Sequence, residues 1–114
     1  MKILILVVIY KINLIQSKTI KSLIDSKDYL SESDLFIWDN SPTSQDISAL
    51  RRFFGKHTNI FYEHHPENLP LSKVYNKVIN QFKNNGYDFL MLLDQDSSFT
   101  KELFIKFHDA FQKK

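Results

Sequence analysis

The chain has 114 residues, 43% hydrophobic, 14% aromatic and 25% charged, a profile that belongs to a packed domain with one core and excludes a disordered tail, a fibrous repeat or a low-complexity linker. Fifteen Lys and Arg against thirteen Asp and Glu leave a formal net charge of +2, too small to make nucleic acid or an anionic membrane the expected partner. The lack of cysteine excludes disulfides, thiolate nucleophiles and Cys-ligated zinc, as is usual for an intracellular protein, and with Gly55 and Gly86 as the two glycines no glycine-rich phosphate loop can be written.

The longest uncharged apolar stretch, residues 3–10, is far short of the roughly 20 residues a membrane-spanning helix needs. Lys2 ahead of it imitates a leader peptide, but Lys11 follows at once and no small-residue cleavage site appears. Residues 3–9, Ile-Leu-Ile-Leu-Val-Val-Ile, lack alternation and predict a strand covered on both faces, the central one of a parallel sheet. Ser17 then caps a helix with Ile20, Leu23 and Ile24 on one face, which dissolves near residues 26–28. Residues 35–38 predict a second strand. Thr43 and Asp46 imitate a capping box for a second helix, with Ile47, Leu50 and Phe54 on its apolar face and Gly55 as its stop.

Residues 59–62 predict a third strand, and Pro66 and Pro70 bracket an irregular loop. Leu71, Val74, Tyr75, Val78, Ile79 and Phe82 follow helical spacing up to Asn84-Asn85-Gly86. Residues 89–93 form another unbroken apolar run, read as a fourth buried strand, and Thr100 opens a last helix with Leu103, Phe104, Phe107 and Phe111 in a stripe. The fold class expected from this β-α-β-α-β-α-β-α order is α/β: a parallel four-stranded sheet with helices on both faces, Rossmann-like.

In such a sheet ligands bind at the carboxyl ends of the strands, so the residues after each apolar run carry the function. They are Tyr10 and Lys11; Asp39, Asn40 and Ser41; Glu63, His64, His65 and Asn68; and Asp94, Gln95, Asp96, Ser97 and Ser98. Asp94 and Asp96 after a buried strand offer hard oxygen ligands to Mg²⁺ or Mn²⁺ with positions left for phosphate. The same residues also suit a turn in which Asp and Ser bond their own backbone. Asp39 has the same two readings, a contact to a ligand N–H or an Asx turn. His64 and His65 are adjacent and point apart in extended chain, which suits loop or surface histidines better than a shared metal. Lys73, in the first turn of its helix beside free N–H groups, either faces an anion or is solvated. Trp38 and the ten Phe are read as core and interface.

Four blocks in this order resemble the nucleotide-binding half of a family 2 glycosyltransferase with a GT-A type fold, of the rhamnosyltransferase-like kind. Residues 5–11, Ile-Leu-Val-Val-Ile-Tyr-Lys, are similar to the opening strand that usually ends Thr-Tyr-Asn, with Ile9 and Lys11 as departures. Ile37-Trp38-Asp39-Asn40-Ser41 resembles the family's Asp-Asn-Ser block. Residues 68–76 resemble an Asn-x-Gly segment that ends in a second Asn, here Asn76, with Pro70 in the place of the glycine. Asp94-Gln95-Asp96 resembles the Asp-x-Asp motif, in the Gln variant of rhamnosyltransferase-like sequences.

The resemblance implies transfer of a sugar, with inversion, from a nucleoside diphosphate sugar (a dTDP- or UDP-sugar) to a hydroxyl of a glycan or lipid-linked acceptor, assisted by Mn²⁺ or Mg²⁺, in the cytoplasm at the inner face of the membrane. It makes Asp96 the principal metal ligand, Asp94 a contact to ribose or metal and Asp39 the base contact. Tyr10, Asn68 and Asn76 would help seat the nucleotide sugar, and Lys73 would face its phosphates. The resemblance covers the first half of a family catalytic domain, so a single, truncated nucleotide-sugar-binding domain over residues 1–114 is expected, with the catalytic base outside it; Glu102 and Asp109 have no reason to face the anomeric carbon. Two other readings stand beside this one. A metal-dependent phosphatase would use Asp94 as nucleophile but needs further motifs downstream. A non-catalytic assembly domain would pair with a second copy through the stripe of Phe104, Phe107 and Phe111, if that face is exposed.

Overall fold

The computed structural model describes residues 2–30, 32–55 and 58–112, with side chains as far as residue 110. Four strands, β1 (Ile3–Ile9), β2 (Ser33–Asp39), β3 (Ile60–His64) and β4 (Phe89–Asp94), form one parallel sheet in the order β3-β2-β1-β4. The helices α1 (Lys18–Asp25), α2 (Ser48–Phe54), α3 (Leu71–Phe82) and α4 (Glu102–Gln112) connect or follow them. The expected α/β class and the helices on both faces are therefore what the chain adopts.

The chain winds outward from β1 to β3 and then returns across β1 to β4. Reversing the direction of winding moves the crossover helix to the other face, because parallel crossovers keep one hand. Alternate residues of β1 accordingly serve two cores. Ile3, Ile5, Val7 and Ile9 pack with Ile20 and Leu23 of α1, Leu50 and Phe54 of α2, and Phe104 of α4. Leu4 and Leu6, with Phe36 and Trp38 of β2, pack under Val74, Val78 and Phe82 of α3. The α3 residues recur at every fourth position, which keeps one face of that helix on the sheet.

Three expectations change. The run at residues 89–93 is not fully covered: β4 is the outer strand beside β1, so one edge has no neighbour among the described residues, and Leu92 is 41% exposed. An unbroken apolar run cannot by itself distinguish a central strand from an edge strand. The second helix begins at Ser48, and Thr43 does not cap it; the Asp46 carboxylate instead accepts from the Ser48 N–H and hydroxyl at 2.9 and 2.6 Å. Gln45 explains the delay. Its main chain and side chain are committed to Tyr62, Leu14 and Ile12, contacts that a helix through residues 43–47 could not keep. Finally, Phe104 is fully buried and Phe107 packs half-buried against the same core, edge-to-face on Phe89 at 5.4 Å. Those two rings are thus packed within the chain; the Phe111 side chain lies outside the described residues.

At the amino end of the sheet, buried Asp34 accepts from the Tyr87 hydroxyl and from Asn59 Nδ2 at 3.2 Å, with Lys2 Nζ 3.9 Å away. Burial and the Asp34 carboxylate push the Tyr87 phenol well above its ordinary range. No helix among the described residues is long and apolar enough to cross a membrane.

Candidate functional site

The register brings the polar strand ends to one rim. Ile9 pairs with Asp39, Asp39 with His64, and Val8 with Asp94. Above β1 and β4, on the α3 side, opens a cleft of about 500 Å³. Its floor and near wall are Val8, Tyr10 and Asn40, its far wall is the loop of Asn68, Leu69 and Pro70 with Leu71 and Tyr75 of α3, and its remaining side is Asp94, Gln95 and Asp96.

Of the residues proposed from the sequence, the structure brings Tyr10, Asn68, Asp94 and Asp96 into this cleft. Asn68 and Lys11 both have positive φ, +50° and +52°, a conformation that Asn tolerates and Lys rarely adopts. Lys11 is held there by its N–H bond to Ser41 Oγ at 2.8 Å. Asp39 lies beneath the rim and is fully buried. Its carboxylate accepts from Ser41 N at 3.0 Å, the Tyr62 hydroxyl at 2.6 Å and Gln45 Nε2 at 3.4 Å, so it organises the β2 and β3 ends internally. Lys73 and Asn76 are exposed on α3 and do not line the cleft. Asn76 is two positions from both Val74 and Val78, which turns it away from the sheet.

The histidines engage separate partners. His64 Nε2 is 2.7 Å from the Ser41 carbonyl, whereas the His65 ring stacks on Trp38 at 3.6 Å with Glu63 and Glu67 at its two nitrogens. Trp38 in turn donates to Asn40 Oδ1 at 2.8 Å, and Asn40 Nδ2 donates to the Leu69 carbonyl at 3.0 Å. This relay fixes the far wall of the cleft to β2. Asn40 and Gln95 stand among the strand-end residues that the sequence sets at the rim, but neither is given a ligand role there, and Tyr75 is given none either. Asn40 and Gln95 sit inside the blocks that drew attention to their neighbours, and Tyr75 was legible only as part of an apolar stripe.

The acidic turn is bonded to itself, as the second of its two sequence readings expects. Asp94 Oδ1 accepts from Asp96 N at 3.3 Å and Ser97 Oγ at 2.8 Å, the local bonding expected of Asp in a turn. The Asp96 carboxylate is exposed and has no hydrogen-bond partner among the described residues. Gln95 reaches the other way, its Oε1 accepting from the Tyr10 N–H at 2.8 Å, which ties the turn to the end of β1. Among the described residues no group of three or more His, Asp or Glu could enclose a metal ion. Two carboxylates facing an open cleft fit instead a Mg²⁺- or Mn²⁺-sized ion that keeps waters and takes phosphate oxygens.

Tyr62 carries a pH dependence. Burial first, then its bond to Asp39, raises the phenol from 10.0 to about 12. The fold favours the neutral phenol, so this contribution to stability is complete below pH 10 and is lost as pH rises through about 12. Following tyrosine ionisation by ultraviolet absorbance, we expect Tyr62 and Tyr87 to ionise late, together with alkaline unfolding, and Tyr62→Phe to remove one of the two late phenols. Ionisation of all five tyrosines in one ordinary step, with the fold intact, would contradict this.

The sequence profile of Glycosyl transferase family 2 matches residues 5–114. No curated protein matches the chain significantly. The profile runs through every strand of the sheet and every residue that lines the cleft; the chain belongs to the family 2 glycosyl transferases, and its sheet has the Rossmann-like arrangement of their GT-A fold.

Proposed function

We propose that this chain binds a nucleoside diphosphate sugar, with dTDP or UDP as the nucleotide and a rhamnosyl-type sugar, in the cleft at the carboxyl ends of β1 and β4. The observation that supports this most is the convergence there of Tyr10, Asn68, Asp94 and Asp96 on one opening. Tyr10 and Tyr75 offer aromatic faces to a planar or apolar ligand group, and Asn40 and Asn68 offer amide donors and acceptors to ribose or sugar hydroxyls. Asp96 and the outward part of Asp94 would hold Mn²⁺ or Mg²⁺. Bound there, the cation would neutralise charge developing on the diphosphate leaving group.

Asp39 would act on the base through the strand ends that it organises, and Lys73 and Asn76 would meet the donor only if it extends beyond the cleft along α3. Removing the acceptor's proton needs a carboxylate beside the anomeric carbon. Glu102 and Asp109 lie on α4 and do not line the cleft, so neither is assigned that role. The acceptor would be a glycan or a lipid-linked sugar reached from the cytoplasmic side of a membrane. Calorimetric titration of the chain with UDP and dTDP, each with Mn²⁺, tests the reading. Saturable, Mn²⁺-dependent binding of one of them is expected, and heats no larger than dilution for both would overturn it.

A further inference from the structure

The acidic turn after β4 does not hold its shape alone, and we propose that Thr19 of α1 is a positioning residue for it, fixing the turn in the form that presents Asp94 and Asp96 to the cation. This rests on the reading of those two carboxylates as ligands of Mn²⁺ or Mg²⁺. Thr19 is fully buried and does not line the cleft. Its hydroxyl donates to the Asp94 carbonyl and accepts from the Ser97 N–H at 2.8 Å. Thr19 stands in the first turn of α1, where no carbonyl one turn earlier in the helix is available to its hydroxyl. Here both functions are spent outside α1, on the main-chain groups that bracket the two carboxylates.

Within that bracket, the Asp94 carboxylate accepts from Asp96 N and Ser97 Oγ, so the side-chain and main-chain bonds fix the same few dihedral angles. Neighbouring α1 groups support the clamp: Ser17 Oγ and Thr19 N both donate to the Gln95 carbonyl, at 2.7 and 3.3 Å, and Ser22 Oγ accepts from Phe99 N at 3.2 Å. Thr19 is the one whose bonds lie on both sides of the Asp-Gln-Asp sequence. A β-branched side chain at this position has few rotamers, so its hydroxyl is aimed before the turn forms. Groups that orient metal ligands typically change affinity by about 10–100-fold when removed.

The test compares the full chain with Thr19→Val, which keeps the shape and loses both bonds, and Thr19→Ser, which keeps the hydroxyl. Mn²⁺ affinity is read from the electron paramagnetic resonance of free Mn²⁺ with UDP or dTDP present, and folding from thermal melts. We expect Thr19→Val to bind Mn²⁺ about tenfold more weakly while still folded, Thr19→Ser to restore the affinity, and Ser97 amide exchange to be slow in the wild type and fast in Thr19→Val. A purely structural role would lower the melting temperature and leave the affinity of the folded protein unchanged, and that result overturns the assignment while sparing the donor reading. Failure of the wild type to take up Mn²⁺ with either nucleotide overturns the donor reading and Thr19's role together. Should Thr19→Val not fold, the wild-type Ser97 amide decides, because exchange at the rate of an open loop would show that the clamp is absent.

Discussion

Asp96→Ala is expected to weaken Mn²⁺-dependent binding of UDP or dTDP by about 100-fold while leaving the melting temperature within about 4 °C of the wild type. Removing groups that merely orient a metal ligand costs about 10–100-fold, so loss of a ligand carboxylate belongs at the upper end of that range. The Asp96 side chain is exposed and bonds to nothing else described, and substitutions at such positions change stability by less than about 0.5 kcal/mol. Asp94→Ala should differ in kind. It removes a carboxylate and also the acceptor of the Asp96 N–H and the Ser97 hydroxyl, so affinity falls and the turn loosens together. Calorimetric titrations paired with thermal melts separate the two cases, and nucleotide binding unchanged in Asp96→Ala would remove the cation from the proposed site.

Trp38→Ala should cost about 3–5 kcal/mol, the usual range for emptying a buried aromatic site. Trp38 is 1% exposed, lies between Phe36 at 6.3 Å and the His65 ring at 3.6 Å, and packs under α3. At about 4–8 °C per kcal/mol for domains of about this size, the melting temperature falls by more than about 10 °C. Donor affinity should fall too, because Asn40 loses the indole N–H that orients it and its hold on the Leu69 carbonyl slackens. Trp38→Phe shifts the balance from packing to orientation: a six-membered ring is kept, while the pyrrole ring and its bond to Asn40 are lost. A smaller fall in the melt than in Trp38→Ala, with weakened nucleotide binding, is expected for that variant. Full affinity in Trp38→Phe would show that the far wall stands without the relay.

The sheet was legible because its central strands are so apolar that no other element could bury them, and because α1 and α3 carry their apolar residues at strict helical spacing. The position of β4 at the edge was not, since Phe89-Leu90-Met91-Leu92-Leu93 reads the same whether one or two neighbours cover it. Position in a sheet is set by crossover geometry. Asp94 and Asp96 were legible as residues of the rim, for they are polar, adjacent to an apolar run and placed at a strand end. Asp39 satisfied the same criteria yet is buried and bonded by Tyr62 and Gln45, partners that no local pattern links to it. Thr19 illustrates the complementary gap: its partners Asp94 and Ser97 are 75 and 78 residues away in sequence.

The strand order also carries a kinetic consequence. β1 lies between β2 and β4, yet Ile3 meets its partner Phe89 only after the chain has passed through β2, α2, β3 and α3. Pairings between such distant segments pay their loop-closure entropy before any contact rewards it. A partly opened state with β3, β2 and β1 assembled and β4 undocked is the species we expect native-state hydrogen exchange to reveal, with β4 less protected than β2. The cleft does not exist in that species, because one of its sides is the Asp94–Asp96 turn. A donor that bridges the Asn68 loop and that turn would bind only the docked form and so favour the last step of folding by mass action. In this fold, closing the sheet and forming the binding site are one event.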